Sequence, residues 1–343
     1  MARASVGARL HFGFCNLSLS HERLYGALGV GLAEPRVVVD AEPDSAVGVT
    51  VEASTAAESS ESARAVREEA REYATAATDL LGVDGARVTV RESLPRHAGL
   101  GSGTRLAAAT LAAVATAHSE SVRVRERAPA LGRGGRSGVG VATFESGGFV
   151  LDAGHPTARF TTDRPADGGW TVPPVAARHA VPDDWRFLLV DPDADPGRSG
   201  AAEDDAMRTA VERADPGIAD RIGGIVTQQV LPSIATGNAE AFGAAVAEIG
   251  RLNGAWYTDE QGGVYRPPVG EVVASLSGDS AVFGAGQSSW GPTVYGVTDA
   301  DHADAAAAAG ERALDAAGVD GSVSVVRAAN ESARIVTEGG ADP

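Results

Sequence analysis

The residues whose types and spacing could do chemistry lie together in LPRHAGLGSGTRLAAATLAAV, residues 94–114. Gly99, Gly101 and Gly103 alternate there, and glycine adopts backbone conformations that other residues resist. Such positions let main-chain N–H groups approach a ligand closely. The alanine-rich run that follows predicts a helix beginning near Ser102, and the first turn of a helix carries N–H groups with no intrahelical acceptor. That terminus favours an anion, by roughly 0.3–1 kcal/mol per charge where exposed. Ser102 and Thr104 add hydroxyls able to bond phosphate oxygens or a metal-bound water. A plain glycine turn before a buried helix, with Ser102 as its N-cap, would use the same letters.

Other candidates are scattered. Arg9 and His11 alternate on a predicted strand and share one face, either a cleft wall or a solvated surface. Asn16, Ser18, Arg23 and Tyr25 sit in a turn-rich stretch that could cover a ligand. Arg133 and Arg136 fall in LGRGGRSG, and arginine forks suit phosphate and carboxylate; a surface loop is the plain alternative. Ser137 and Gly138 follow directly. Glu145, in FESGG, either holds a metal ion or occupies an exposed turn. Gln287, Ser288 and Ser289 form an unusual polar string beside Trp290, which could stack on an aromatic ligand or pack in the core. Asp191, Asp193 and Asp195 cluster in VDPDADPGRSG, as a cation site or a solvated turn. The seven histidines show no paired zinc-ligand spacing.

The elements that must position these residues read as follows. Residues 7–14 and PRVVVDAEP suggest strands, with NLSLSHERLYGALGVGL as turns between them. Residues 59–81 carry a helical apolar face. ARVTVRESLP alternates as a strand ending at proline. Residues 138–152 look like two strands joined by a Gly-Gly turn. Residues 155–183, rich in Pro, Asp and Arg, read as an irregular connection. WRFLLVDPD opens a second strand-helix region, with helices near 203–214, 220–236, 238–252 and 267–276. A glycine-rich hairpin around FGAGQSSWGPTVYGV, an alanine helix over 301–316 and a strand at GSVSVVRAA follow, and ARIVTEGGADP reads as a loose tail. Mixed strands, helices and hairpins argue for α+β.

Composition narrows the classes. The 343 residues suffice for two domains, and 43% are hydrophobic but only 5% aromatic, so the core is aliphatic. Formal net charge is −17, which disfavours a nucleic-acid partner. All 29 basic residues are arginine, so no Schiff-base or Walker lysine exists. Acidic excess without lysine fits a protein kept soluble in a salt-rich (halophilic) cytosol; GC-rich codon usage favours the same letters. No run approaches the roughly 20 apolar residues of a membrane span, and the opening residues lack an apolar signal core. With a single cysteine, Cys15, the expected location is cytoplasmic.

Three ordered blocks resemble the GHMP superfamily. Pro95 to Leu100-Gly101-Ser102 is similar to its second motif, Pro-x-x-x-Gly-Leu-Gly-Ser-Ser, with Gly103 where the second serine usually stands. ARLHFGF (8–14) resembles the first motif and AVFGAGQSSWGPTV (281–294) the third. The resemblance implies an N-terminal α+β domain (1–154) and, beyond the connection at 155–183, a ferredoxin-like C-terminal domain (184–335), a tail (336–343), and a cleft between the domains. GHMP kinases that carry a catalytic aspartate commonly place it in a Ser-Gly-Ile-Asp segment. Here that segment is Ser137-Gly138-Val139-Gly140, with no acid and no lysine to assist.

RLHFGFCNLS, SGVGVATFESGGFVLDAG and GQSSWGPT instead resemble the β-ribofuranosylaminobenzene 5′-phosphate synthase family. The resemblance implies a transferase that joins phosphoribosyl pyrophosphate to 4-aminobenzoate or 4-hydroxybenzoate, losing pyrophosphate and carbon dioxide, toward methanopterin-type pterins. It assigns Arg9, His11, Gln287 and Ser288 to catalysis, and Gly99, Gly101, Ser102, Gly103, Thr104, Ser137, Gly138, Ser289 and Trp290 to substrate and phosphate binding. Mg2+ is expected with the leaving pyrophosphate, Ser102 and Glu145 being the candidate ligands; ATP is not expected. The expected partners are these small molecules, without nucleic acid or membrane, and a homodimer by family analogy. An ATP-dependent GHMP small-molecule kinase and a non-catalytic binder of a phosphorylated metabolite are the rival readings.

Overall fold

A computed structural model describes residues 1–52, 60–159, 166, 168–195 and 201–337. Alternation builds its first layer. In β1 (Ala2–Asn16) the residues Ala4, Val6, Ala8, Leu10 and Phe12 are all buried. β2 (Arg23–Pro43) pairs antiparallel along most of β1. Residues 23–32, expected as turns, are therefore strand. The glycines that suggested turns serve close pairing: a Cβ at Gly29 would lie 2.2 Å from the Leu10 carbonyl oxygen. β3 (Gly48–Val51) runs parallel to β4 (Ala86–Glu92), which pairs with β2. α1 (Ser60–Leu81) and α2 (Ser102–Ala117) cover this layer, and residues 105–115 of α2 are buried without exception.

Beyond α3 (Val124–Arg127), the expected hairpin at 138–152 is instead α4 (Val139–Ser146) followed by β5 (Phe149–Asp152). Val139, Val141, Ala142 and Phe144 bury the helix, and Gly147, at φ 61°, ends it. The stretch expected as an irregular connection carries β6 (His155–Pro156) and β7 (Val175–His179), paired on β2 and β5. Residues 160–165 and 167 lie outside the described residues.

The second layer begins with β8 (Trp185–Pro192). Then come α5 (Ala201–Arg213), α6 (Pro216–Ile225), α7 (Leu231–Thr236) and α8 (Ala239–Trp256). α9 (Thr258–Gln261), α10 (Val269–Leu276), β9 (Gly284–Gln287), β10 (Val294–Asp299), α11 (Ala303–Ala317) and β11 (Gly321–Val326) follow. Its strands lie in the order β11-β8-β10-β9, all antiparallel, which is the ferredoxin-like arrangement. The tail expected at 336–343 is partly ordered: β12 (Arg334–Thr337) pairs with Ala2–Ser5 of β1. Residues 338–343 lie outside the described residues. Among the described residues no helix is long and apolar enough to cross a membrane.

The two layers share one core. Phe242 of α8 sits with ring centroids 5.8 Å from Phe12, 5.7 Å from Phe149 and 4.9 Å from Trp185, so it touches both sheets. Replacing Phe242 with Ala should cost about 3–5 kcal/mol. Denaturant unfolding followed by circular dichroism should show one lowered transition rather than the separate loss of one layer.

Candidate active site

The glycine loop between β4 and α2 is shaped by contact on one side. Gly99 and Gly101 adopt φ 97° and 78°. A Cβ at Gly99 would lie 2.2 Å from the Ser288 carbonyl oxygen, and one at Gly101 2.9 Å from Arg9 Cγ. The Gly99 carbonyl oxygen accepts from Arg9 Nη1 (2.7 Å) and from Ser288 Oγ (2.8 Å), while the Leu100 carbonyl accepts from Arg9 N (3.1 Å). The loop's carbonyls thus turn toward β1 and the third block. α2 is capped by Gly101, which has no side chain to offer, so Ser102 is the first helical residue and not the N-cap. No capping side chain serves the amides of its first turn.

His11 and the third block complete this wall. Ser288 Oγ also accepts from His11 N (3.2 Å), and Ser289, at φ 57°, donates its N–H to the His11 carbonyl (3.4 Å). Thr293 N donates to the Ala98 carbonyl (3.1 Å), and its hydroxyl to Asp191 (2.8 Å). Asp191 is therefore an anchor of the third block. His11 is 4% exposed, and burial first, then Arg9, pushes its imidazole down to about 3. It stays neutral at physiological pH and does not act as a proton donor there.

Gly103 faces a guanidinium. A Cβ there would lie 2.8 Å from Arg133 Nη2 and 2.9 Å from its Cζ and Nη1. Arg133 is held by Glu69 (3.2 Å), by the Tyr73 hydroxyl, and over the Tyr73 ring at 5.2 Å. Glu69 also takes Arg96 at 3.2 Å. Arg96 and Arg133 thus share one carboxylate, and Arg133 stands beside the start of α2.

On its other flank the wall lines a pocket. Phe14, Tyr257, Tyr265 and Trp290 supply rings, with Trp290 4.4 Å from Tyr257. Gln287 is 8% exposed there, and its amide nitrogen has no hydrogen-bond partner. Asn253 of α8 clamps the wall, accepting from Phe14 N (2.7 Å) and donating to its carbonyl (3.0 Å).

Several expected residues are bonded within the local structure. Ser137 and Gly138 start α4: Gly138 N donates to Asp152 (2.7 Å), and Ser137 Oγ accepts from Val139 N (3.3 Å). Glu145, expected at a turn, lies on α4 and pairs with Arg125 at 2.9 Å. Asn16 and Ser18 close the β1–β2 connection, and Arg23 holds the Gly154 carbonyl (2.8 Å). Arg136 pairs with Asp204. At Gly140 a Cβ would lie 2.9 Å from Thr104 Cγ2, so a side chain there would have to displace Thr104. A carboxyl the sequence reading passed over, Asp152, is buried and pushed up to about 6 by burial. It accepts from the N–H groups of Gly138 and Gly154 (2.7 and 2.9 Å), which makes it a cap for the start of α4. Arg105 and Asn253 were also missed; a lone arginine inside an alanine helix was the available signal for Arg105, and nothing local marked Asn253. Among the described residues no group of three or more His, Cys, Asp or Glu could hold a metal ion.

Comparison with known proteins agrees with this layout. Residues 62–148 match the family described as GHMP kinases N terminal domain, and residues 230–316 the family described as GHMP kinases C terminal. The β-ribofuranosylphenol 5′-phosphate synthase of Methanothermobacter thermautotrophicus is 34% identical over 89% of this chain and 91% of that protein. The protein of that name from Methanocaldococcus jannaschii is 26% identical over 85% and 88%. The homoserine kinase structure from Cytophaga hutchinsonii superposes with TM-score 0.63 at 16% identity, covering 98% of this chain and 97% of that one, which shows a shared fold.

Gly103→Ser should force Arg133 off the helix terminus. Pyrophosphate affinity, read by calorimetry, should fall about tenfold, as for loss of one charge-assisted hydrogen bond. Arg133→Ala should do the same, and the double variant should be no worse than either single one.

Proposed function

The chain belongs to the β-ribofuranosylphenol 5′-phosphate synthase family of the GHMP superfamily, and we propose that it joins phosphoribosyl pyrophosphate to 4-hydroxybenzoate, with 4-aminobenzoate as the alternative acceptor, toward a pterin cofactor. The acceptor choice follows the phenol in the relatives' name. The observation that carries the reading is the glycine loop, its carbonyls bonded inward and the first turn of α2 uncapped, with Gly140, packed on Thr104, standing where the acid of a phosphoryl transfer would be.

The chemistry asks little of acids and bases. The bond from ribose C1 to the diphosphate oxygen breaks, and its electron pair leaves with pyrophosphate. The ring carbon bearing the carboxylate attacks C1, and the new carbon–carbon bond interrupts aromaticity. The carbon–carboxylate bond then breaks, its electrons restore the ring, and carbon dioxide departs. No ring proton is removed, so a neutral His11 and the lack of a base at position 140 are compatible with turnover. The protein's part is electrostatic stabilisation and positioning. The α2 amides and Arg133 receive the diphosphate, and Arg9 fixes the loop through Gly99. The rings of Phe14, Tyr257 and Trp290 hold the flat acceptor, with the free Gln287 amide as a polar contact. Magnesium would accompany the diphosphate substrate and neutralise charge on the leaving pyrophosphate.

Purified protein at high salt, given phosphoribosyl pyrophosphate and carboxyl-labelled 4-hydroxybenzoate, should release labelled carbon dioxide and pyrophosphate in equal amounts. ATP-dependent phosphorylation of an alcohol without carbon dioxide release would overturn the reading. Trp290→Ala should raise KM for the benzoate about tenfold through lost ring contact and leave KM for the donor near wild type.

A further inference from the structure

Arg105 is a buried guanidinium with no counter-charge among the described residues. It is 1% exposed on α2. Nη1 donates to the Gly140 carbonyl (2.7 Å), and Nη2 to Thr143 Oγ1 (2.8 Å) and the Ala8 carbonyl (3.3 Å). Nε has no partner. All three acceptors are neutral oxygens, and among the described residues no carboxylate pairs with this guanidinium. Elsewhere the chain pairs a buried charge well: Asp40, 2% exposed, takes Arg3 at 2.6 Å and Arg91 at 2.8 Å. Leaving a buried charge without a counter-charge is strongly unfavourable.

Its location gives a reason. Arg105 N bonds the Gly101 carbonyl at 3.0 Å, one turn from the start of α2. Its acceptors belong to the shell of the same loop: Ala8 precedes Arg9, which holds Gly99, and Gly140 packs on Thr104. Arg133 stands over Gly103 on the outer side. Arg9 and the positive end of α2 share this loop with Arg105, and the Arg9 charge opposes that of Arg105. An anion seated in the loop offsets all of them at once.

We propose that Arg105 is an electrostatic positioning residue, a buried positive charge set behind the glycine loop that strengthens its hold on a diphosphate without touching it. The inference rests on the reading of the loop as a diphosphate site. In a purely structural role, Arg105 would cross-link α2, α4 and β1 through its hydrogen bonds alone. The two roles differ in what a neutral donor can replace.

The test uses the full chain, with inorganic pyrophosphate as probe, and compares Arg105→Gln, Arg105→Met and Arg105→Lys. Gln keeps amide donors without charge, and Lys keeps charge with fewer geometric matches. Expected results are a pyrophosphate Kd and donor KM about tenfold higher in Arg105→Gln, with KM for the benzoate unchanged. Its Tm without pyrophosphate should equal or exceed wild type, and Arg105→Lys should keep most of the affinity. Should Arg105→Gln fail to fold, Arg105→Met carries the same affinity measurement. Wild-type pyrophosphate affinity in a folded neutral variant, or equally lowered Tm in the Gln and Lys variants with affinity intact, overturns the proposal and leaves the cross-link. Failure of wild-type protein itself to bind pyrophosphate removes the loop reading, a result distinct from any effect of the variants.

Discussion

One buried hydroxyl holds the cleft together. Ser288 Oγ donates to the Gly99 carbonyl and accepts from His11 N, with no solvent exposure of its own. Three segments far apart in sequence meet there: the first strand, the glycine loop and the bend after β9. A buried hydroxyl used as both donor and acceptor has one arrangement that satisfies it. That arrangement spends the Gly99 carbonyl on the inner wall and sets the peptide planes of the loop. Everything assigned to the anion side, from the uncapped turn of α2 to Arg133 over Gly103, depends on this orientation.

The local field runs against the global one. The chain carries a net charge of −17 and no lysine. Arginine alone therefore supplies the positive lining, and its planar fork explains how Arg133 can lie flat on a glycine and stack on Tyr73. Neutral His11 is part of the same economy of charge, since burial and Arg9 both oppose its protonation.

Sequence was informative where signals were local. The helix at 60–81, the glycine loop with α2, and the hairpin of the third block follow from periodicity and glycine spacing within a few residues. It misled where glycine had a tertiary purpose. Gly29 lies in a strand because Leu10 approaches closely, which no reading of 17–33 alone reveals. Val139–Ser146 spans only eight residues, too few for helical and strand periods to separate, and the cap that starts it comes from Asp152 beyond its end. In the site, the glycines and the GQSSWGPT string announce themselves by type. The partner of Gly103 is thirty residues away in a loop, and Asn253 sits on a helix whose pattern reads as plain core. Such pairings are products of the fold, and so are the bonds of Ser137 with Val139 and of Glu145 with Arg125, which nothing local in the sequence marks.

The pairing of β12 with Ala2–Ser5, together with the bonds from Ala329 to Gly31 and Gly148, carries the end of the chain back to its beginning. A ribosome releases β1 first and β12 last. The opening strand thus keeps an unsatisfied edge throughout synthesis, and such an edge is a template for mispairing with other chains. The N-terminal layer is for this reason not a module that can mature while the remainder is still being made. Its closure waits for residues 334–337, and a nascent chain that stalls before residue 334 keeps the edge of its first strand open at Ala2–Ser5.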